Sequence, residues 1–419
     1  MAILKKNKKK KYLGIITSFT NLKNGLLQIH EQLVNELSKN FEKVYIINEQ
    51  NLRFFPNLAR KIYLEDVEDE KIDVPYCPKN FILFNPKSRK DFDLFAKDKE
   101  LILISNISRH FFTLGTYRCL KKNNVKLIIV YNFGVLRPAV EKPDINYFRN
   151  FLIFHFNTTI FKKITVMLSN IGIIPKIEIR FVSDKTILNN IYKSNIKKFL
   201  YNNKLLFPKE IKEVNSRTYD YFLNNKVQIS EDLIVHLDAG LNIRHEVQFR
   251  GKLSEDTVRK HYYFLKKFLE KLSNKYKKKI VVTIHPAYNL EEHQKYFEDI
   301  EVVKYKTREL ICKAFLVTHF DSSAVTDAIF LNKRLMSLES NFMSLNERVH
   351  SRSWSDRMGY EHLNIESDFN FNSENLLKKM DFNIKKYGNY NNTYHCLNPK
   401  KSGTIEIINT IKKRFFVES

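Results

Sequence analysis

Between Lys278 and Ser340 the chain alternates short apolar runs, rich in valine and isoleucine, with stretches of helical period, and few architectures accommodate that alternation. The order reads as strand (Ile280–Ile284), a stop at His285-Pro286, helix (Glu291–Tyr296), strand (Ile300–Val303), helix (Thr307–Lys313), strand (Phe315–His319), helix (Ser322–Leu331) and strand (Arg334–Leu338). Strands that are apolar throughout need cover on both faces, so this order calls for a parallel sheet with crossover helices. In such sheets ligands lie beyond the carboxyl ends of the strands. Two strand ends carry polar residues suited to that position, His285-Pro286 and Thr318-His319-Phe320-Asp321-Ser322-Ser323.

The second of these reads as an anion site. Asp321 is placed to cap a helix whose first turn would hold Ser322, Ser323 and Ala324, and the N–H groups of a first turn lack intrahelical acceptors. A phosphate there gains from those donors, from the helix dipole and from the serine hydroxyls. His285 would add a donor from a neighbouring strand end, and Pro286 would stop its strand without needing a ladder partner. The alternative is a capped helix beside an unrelated histidine.

At 419 residues the chain is long enough for two cores, and its 43% hydrophobic and 28% charged content is that of a folded globular protein. Lysine and arginine number 71 against 46 acids, and the resulting +25 favours an anionic partner: a phosphorylated ligand, anionic lipid or nucleic acid. Cys77, Cys119, Cys312 and Cys396 lie far apart, form no metal-ligand spacing and fit a reducing cytoplasm. The basic start, MAILKKNKKKK, precedes no apolar core of signal-peptide length. No apolar run reaches the roughly 18 residues of a membrane-spanning helix.

Upstream, strands are expected at Tyr12–Thr17, Val44–Ile47, Lys61–Leu64, Phe81–Phe84, Leu101–Ser105, Val125–Tyr131 and Ile177–Val182, with helices at Asn24–Ser38, Lys90–Lys97, Arg109–Lys121 and Thr186–Leu200. This is the pattern of a nucleotide-binding α/β domain, yet neither GxGxxG nor GxxxxGK[ST] occurs, which argues against a dinucleotide or P-loop function. Asp144–Leu168 is aromatic and basic, through Tyr147, Phe148, Phe151, Phe154, Phe156, Phe161, Arg149, Lys162 and Lys163. It is either an amphipathic segment for an anionic membrane surface or a stripe packed on its own domain. A second domain opens with the strand Asp232–Asp238, followed by a loop through Gly240, Asn242, Arg244, His245 and Gly251 and the long helix Ser254–Tyr276. Helices at Phe342–His350, Glu374–Lys386 and Gly403–Phe416 complete the chain.

Paired α/β halves without a glycine fingerprint, a strand ending in Asp238, another ending in His285-Pro286, and Ser322-Ser323 opening a helix together resemble the GT-B glycosyltransferases. More narrowly they resemble bacterial surface-polysaccharide transferases of the sialyl-, polysialyl- and Kdo-transferase kind. HLDAGL (His236–Leu241) is similar to the strand that opens the second domain in relatives of that group, with Ala239 where glutamine is usual, and Thr218-Tyr219-Asp220-Tyr221 is similar to the boundary before it. The resemblance implies two Rossmann-like domains with parallel sheets facing across a cleft: 1–215 on the acceptor side, 216–396 for the nucleotide donor, and 397–419 a terminal helix crossing back. It further implies that His285, Pro286, Ser322 and Ser323 hold the donor's phosphate, without metal or other cofactor, and Thr318 and His319 at the same strand end are added as donor-binding candidates.

The expected activity is transfer of a sugar from a CMP- or UDP-linked donor to a surface glycan or lipid-linked acceptor, in the cytoplasm or at the inner face of the plasma membrane. Fixed donors and positive charge help a phosphate leave. Asp238, then His245, are the candidates for the base that takes the acceptor's proton, against a structural role for Asp238 in holding loop N–H groups such as that of Gly240. Glu339 would receive a ribose diol, or be a solvated loop acid. Three alternatives stand beside this: a glycerophospho- or other polyol-phosphate transferase with a CDP-linked donor, a non-catalytic GT-B relative, and a nucleic-acid-binding protein. The last has the charge but no recognition helix, RNP motif or zinc finger.

Overall fold

The computed structural model describes residues 9–62, 74–107, 111–131, 172–186, 208–225, 229–241, 253–286, 288–367 and 381–417, with the single residues 168, 189, 378 and 380. The described residues within Met1–Asn132, Leu152–Arg217 and Leu397–Ser419 form one compact unit, and those within Thr218–Cys396 form another.

The first unit is built on β1 (Lys10–Thr17), β2 (Val44–Asn48), β3 (Phe81–Phe84), β4 (Lys99–Ser105), β5 (Lys126–Tyr131), β6 (Ile177–Val182) and β7 (Glu210–Glu213), in the order β3-β2-β1-β4-β5-β6-β7. Every pairing is parallel. Side chains alternate between two buried faces, as the period of a strand requires. Leu13, Ile15, Ile46 and Ile102 pack with Leu33, Val34 and Leu37 of the helix Glu31–Asn40. Ile16, Ile47, Leu101 and Leu103 pack with Phe92 and Leu120 of the helices Arg89–Ala96 and Thr113–Lys122.

The terminal helix Gly403–Ile411 returns to this unit and adds Ile407, Ile408 and Ile411 to the first face. Asn215 ties it down with its whole amide. Its Nδ2 donates to the carbonyls of Asn398 and Lys401, both at 2.6 Å, and its Oδ1 accepts from the N–H groups of Leu397 and Asn398 at 2.7 and 2.9 Å. A Cβ at Gly403 would stand 2.2 Å from the Asn215 carbonyl oxygen, so only glycine permits this approach.

The second unit holds β8 (Leu233–Asp238), β9 (Lys279–Ile284), β10 (Glu301–Val303), β11 (Ala314–His319), β12 (Arg334–Glu339) and β13 (Glu361–Asn364), all parallel, in the order β10-β9-β8-β11-β12-β13. Numbered within its own unit, the second sheet runs 3-2-1-4-5-6, the doubly wound order, and the first runs the same way with a seventh strand added at the edge. The expected α/β class of two Rossmann-like parallel sheets is what the chain adopts. The helix Glu255–Tyr276 covers one face through Tyr262, Leu265, Phe268 and Leu272, and Ser254 caps it by accepting from the Thr257 N–H at 3.2 Å. Val325, Ala328, Ile329, Trp354, Tyr387 and Tyr390 cover the other face.

Several expectations are corrected. Asn24–Ser38 is not one helix: Phe19–Lys23, Leu26–Ile29 and Glu31–Asn40 are separated at Gly25, which is left-handed (φ 78), and at His30. Lys61 and Ile62 belong to the helix Pro56–Ile62 and not to a strand, Pro56 being well suited to a first helical position. The helix expected from Ser322 begins only at Val325. That expected at Phe342–His350 runs from Leu345 to Met358, set by a capping box of Ser344 and Glu347 and stopped by left-handed Gly359. Of the helix placed at Glu374–Lys386, residues 374–377 and 379 lie outside the described residues and Lys378 and Met380 are helical, while a separate helix begins at Ile384, capped by Asn383. The edge strands β7 and β13, EIKE and EHLN, are too short and polar to be expected from sequence. Of the segments singled out in the sequence, the basic tail up to residue 8, Asp144–Leu168 apart from Leu168, most of Thr186–Leu200, and the loop carrying Asn242, Arg244, His245 and Gly251 lie outside the described residues.

Candidate functional site

In the second sheet the order reverses between β8 and β11, and a doubly wound sheet binds its ligand in the crevice at that point. Leu237 of β8 lies opposite Thr283 of β9 and opposite His319 of β11. The chain therefore leaves β9 at His285 and β11 at Phe320 to Ser323 on one level, either side of β8, about two strand spacings of ~4.8 Å apart.

His285 is tied into this edge through its backbone. Its N–H donates to the Asp238 carbonyl at 3.2 Å, and its own carbonyl accepts from the Tyr288 N–H at 3.0 Å. The tyrosine ring sits against Gly240, which is left-handed (φ 73) and whose Cβ, if present, would meet that ring at 2.4 Å. The same ring lies 4.6 Å from that of His293. The His285 imidazole is open to solvent although its other surroundings are dense. Its pKa is lowered, by burial first and by the Lys304 ammonium second, with Asp238 opposing. Lys304, just beyond β10, donates to the Tyr288 carbonyl at 2.8 Å. It is a cation at a strand end that sequence reasoning missed, although its position after a valine run was the signal.

Asp238 is fully occupied. Its carboxylate accepts from the Gly240 N–H at 2.7 Å and from the Tyr262 hydroxyl at 3.1 Å, and it stands 3.4 Å from His293 Nε2. The hydroxyl has one proton and gives it to Asp238, so His293 Nε2, 3.0 Å from the tyrosine oxygen, is the donor in that contact. Burial alone would raise the Asp238 pKa. The hydrogen bond and charge of His293, the nearby His236 and the Gly240 N–H outweigh it and bring the pKa down to about 2. So stable an anion is a weak base. These contacts give Asp238 the structural role that its sequence context also allowed.

Thr318 and His319 are likewise engaged within the fold. Both are fully buried, and Thr318 Oγ1 lies 2.9 Å from His236 Nδ1. His319 donates from Nδ1 to the Phe320 carbonyl at 2.9 Å, so its Nε2 accepts from the Tyr360 hydroxyl at 2.8 Å. Burial pushes its pKa down to about 4, which leaves the ring neutral and both nitrogens engaged.

The turn after β11 is open. Asp321 does not cap the next helix: it pairs with His350 Nδ1 at 3.1 Å. Ser322 forms a turn in which its hydroxyl accepts from the Ala324 N–H at 3.3 Å. The backbone N–H groups of Ser322 and Ser323 donate to nothing among the described residues, and Ser323 is exposed. The expected donors are thus present, on a turn rather than on a helix end. Pro286 follows His285 as a half-buried stop to β9.

Glu339 ends β12 and is a buried, partnered acid, not a solvated one. Arg352 Nη2 reaches its two oxygens at 2.9 and 3.1 Å, and His362 Nε2 lies 3.0 Å away. Burial opposes ionisation, but His362 and Arg352 prevail and lower its pKa. Among the described residues no group of three or more His, Cys, Asp or Glu is arranged to hold a metal ion, and no helix is long and apolar enough to cross a membrane.

No protein-family model and no curated protein matches the chain. Solved structures do. A histidine-to-asparagine variant of the wall teichoic acid polymerase TagF is 10% identical, with 97% of this chain and 88% of that chain covered, at a TM-score of 0.51. The same variant soaked with CDPG gives 11% identity, the same coverage and a TM-score of 0.50. The UDP-GlcNAc 2-epimerase of Methanocaldococcus jannaschii is 13% identical over 96% of this chain and 99% of that chain, at a TM-score of 0.45. What this chain shares with the polymerase is the fold, a GT-B-type pair of parallel α/β sheets.

Proposed function

We propose that the chain is a GT-B-type transferase that uses a nucleotide-linked donor and holds the donor's phosphate at the carboxyl edge of the second sheet. The observation that carries this reading is the placement of His285 and the unengaged Ser322 and Ser323 N–H groups on one level across the reversal of strand order. An acceptor hydroxyl attacks the donor sugar carbon, the carbon–oxygen bond to the nucleotide breaks, and the electron pair leaves on a phosphate oxygen. Donors fixed at that oxygen stabilise it as charge develops. His285, held neutral before binding, donates an N–H or takes up a proton as the anion arrives; Lys304 adds charge beside it. The acceptor's proton goes to a base other than Asp238, and the acceptor is a glycan or lipid-linked saccharide.

A second reading keeps the site and changes the group moved to a polyol phosphate from a CDP-linked donor. The fold shared with a polymerase that was soaked with CDPG favours it. A thermal-shift screen of the full chain against CMP, CDP, UDP and GDP conjugates tests both, because a ligand of the folded state raises Tm. Stabilisation that His285→Ala abolishes is the expected result. No stabilisation by any nucleotide removes the proposal, and product analysis with the best donor separates the two readings.

A further inference from the structure

The helix Leu345–Met358 runs beside the same sheet edge, since its His350 pairs with Asp321 and its Arg352 with Glu339. One face of it lines an open cavity of about 430 Å³, with Leu345, Arg348, Val349, Arg352, Asp356 and Arg357 among the lining residues. Three guanidinium groups there face one carboxylate. Arg348 is the telling member: its Nε is buried without a hydrogen-bond partner, and its guanidinium makes no ion pair among the described residues. Arg352 gives one nitrogen to Glu339, while its side chain stays 56% exposed and its remaining donors are open. Like charges one turn apart weaken a helix, and no acid among the described residues compensates Arg348. Such an arrangement suits a ligand with several anionic oxygens, which forked guanidinium groups bind in pairs.

We propose that Arg348, Arg352 and Arg357 form a second anion subsite, for a phosphate ester carried by the acceptor or by the transferred group, separate from the leaving phosphate at His285. The inference rests on the transferase reading above but is tested apart from it. Inorganic phosphate is titrated into the full chain by calorimetry, with acetate as a carboxylate control, and the nucleotide that most stabilises the parent is titrated separately. Arg348→Gln should weaken phosphate binding at least tenfold and leave the nucleotide within about twofold, while Arg348→Lys, which keeps the charge but loses the fork, falls between. His285→Ala should do the reverse. Arg357→Gln, at an exposed position, checks the site should Arg348→Gln alter the fold as read by circular dichroism.

Phosphate bound as tightly by both arginine variants as by the parent overturns the subsite. So does competition between nucleotide and phosphate for a single site, and so does acetate binding as well as phosphate. Arginine-dependent phosphate binding with no nucleotide binding keeps the subsite and retires the donor reading.

Discussion

Tyr262 donates its only hydroxyl proton to Asp238 across 3.1 Å inside the second unit, and with the Gly240 N–H this turns a strand-end carboxylate into a fixed structural anion. Because Asp238 also accepts no proton until about pH 2, the contact holds the corner on which the His285 backbone hangs.

Asp238→Asn should therefore destabilise the second unit more than it affects the chemistry. Removing one partner of a buried ionic cluster costs roughly 3–5 kcal/mol, and Tyr262→Phe should cost about 1–2 kcal/mol, as a lost hydrogen bond to a charged group. Urea unfolding measures both. An Asp238→Asn protein as stable as the parent, but without turnover, would restore Asp238 as the base.

Stability should also fall in mild acid. His236, His261 and His319 are buried, and burial is the chief cause that holds their pKa values at about 4, 3 and 4. In the unfolded chain they take up protons near pH 6.5, while the folded state refuses them until near pH 4 or below. Their contribution is complete above pH 6.5 and is lost as pH falls from there through the folded values. With all three engaged the slope approaches roughly 4 kcal/mol per pH unit. Denaturant midpoints that stay level between pH 7 and pH 5 would contradict this.

Much of the fold is legible in the sequence because the strands are apolar runs of a single kind. The pattern gives β6 to the residue, and β9 and β11 to within one. Those runs also locate the strand ends, and with them His285, Ser322, Ser323 and Glu339. What side chains do at those ends is less legible. His319 ends the strand that Ser323 follows, and only packing by Tyr360 separates a fully engaged histidine from an open serine. The Asp238 network draws on Tyr262 and His293, far away in the sequence, on helices whose pattern announces only a buried stripe. The β7 and β13 edges carry no apolar run, so their ladder partners alone define them.

His285→Ala should leave folding intact, since the side chain is solvent-exposed, and weaken nucleotide binding about ten- to a hundredfold, the cost of one donor to a charged phosphate. Ser322→Ala should cost less, about threefold, because the backbone N–H stays and only a hydroxyl is lost. Equal losses from the two would mean that the serine hydroxyl, and not the turn's backbone, makes the contact.

The terminal segment should be as necessary to the first unit as its strands. Asn215 makes four hydrogen bonds, through one amide, to residues between Leu397 and Lys401, and Gly403 presses on its carbonyl. Asn215→Ala leaves two N–H groups and two carbonyls to find other partners, at roughly 2–4 kcal/mol for the set. Gly403→Ala forces a Cβ into a backbone oxygen 2.2 Å away, and backbone cannot yield as a flexible side chain does. Removing the helix altogether forfeits the burial of Ile407, Ile408 and Ile411 and exposes the sheet face they cover. At about 1.5–3 kcal/mol for each fully buried aliphatic side chain, that loss approaches the whole stability of an ordinary domain. A chain ending after Cys396 should then lose hydrogen-exchange protection in β1, β2 and β4 while β8, β9 and β11 keep theirs. Equal protection of both sheets in the truncated chain would show that the returning helix is dispensable.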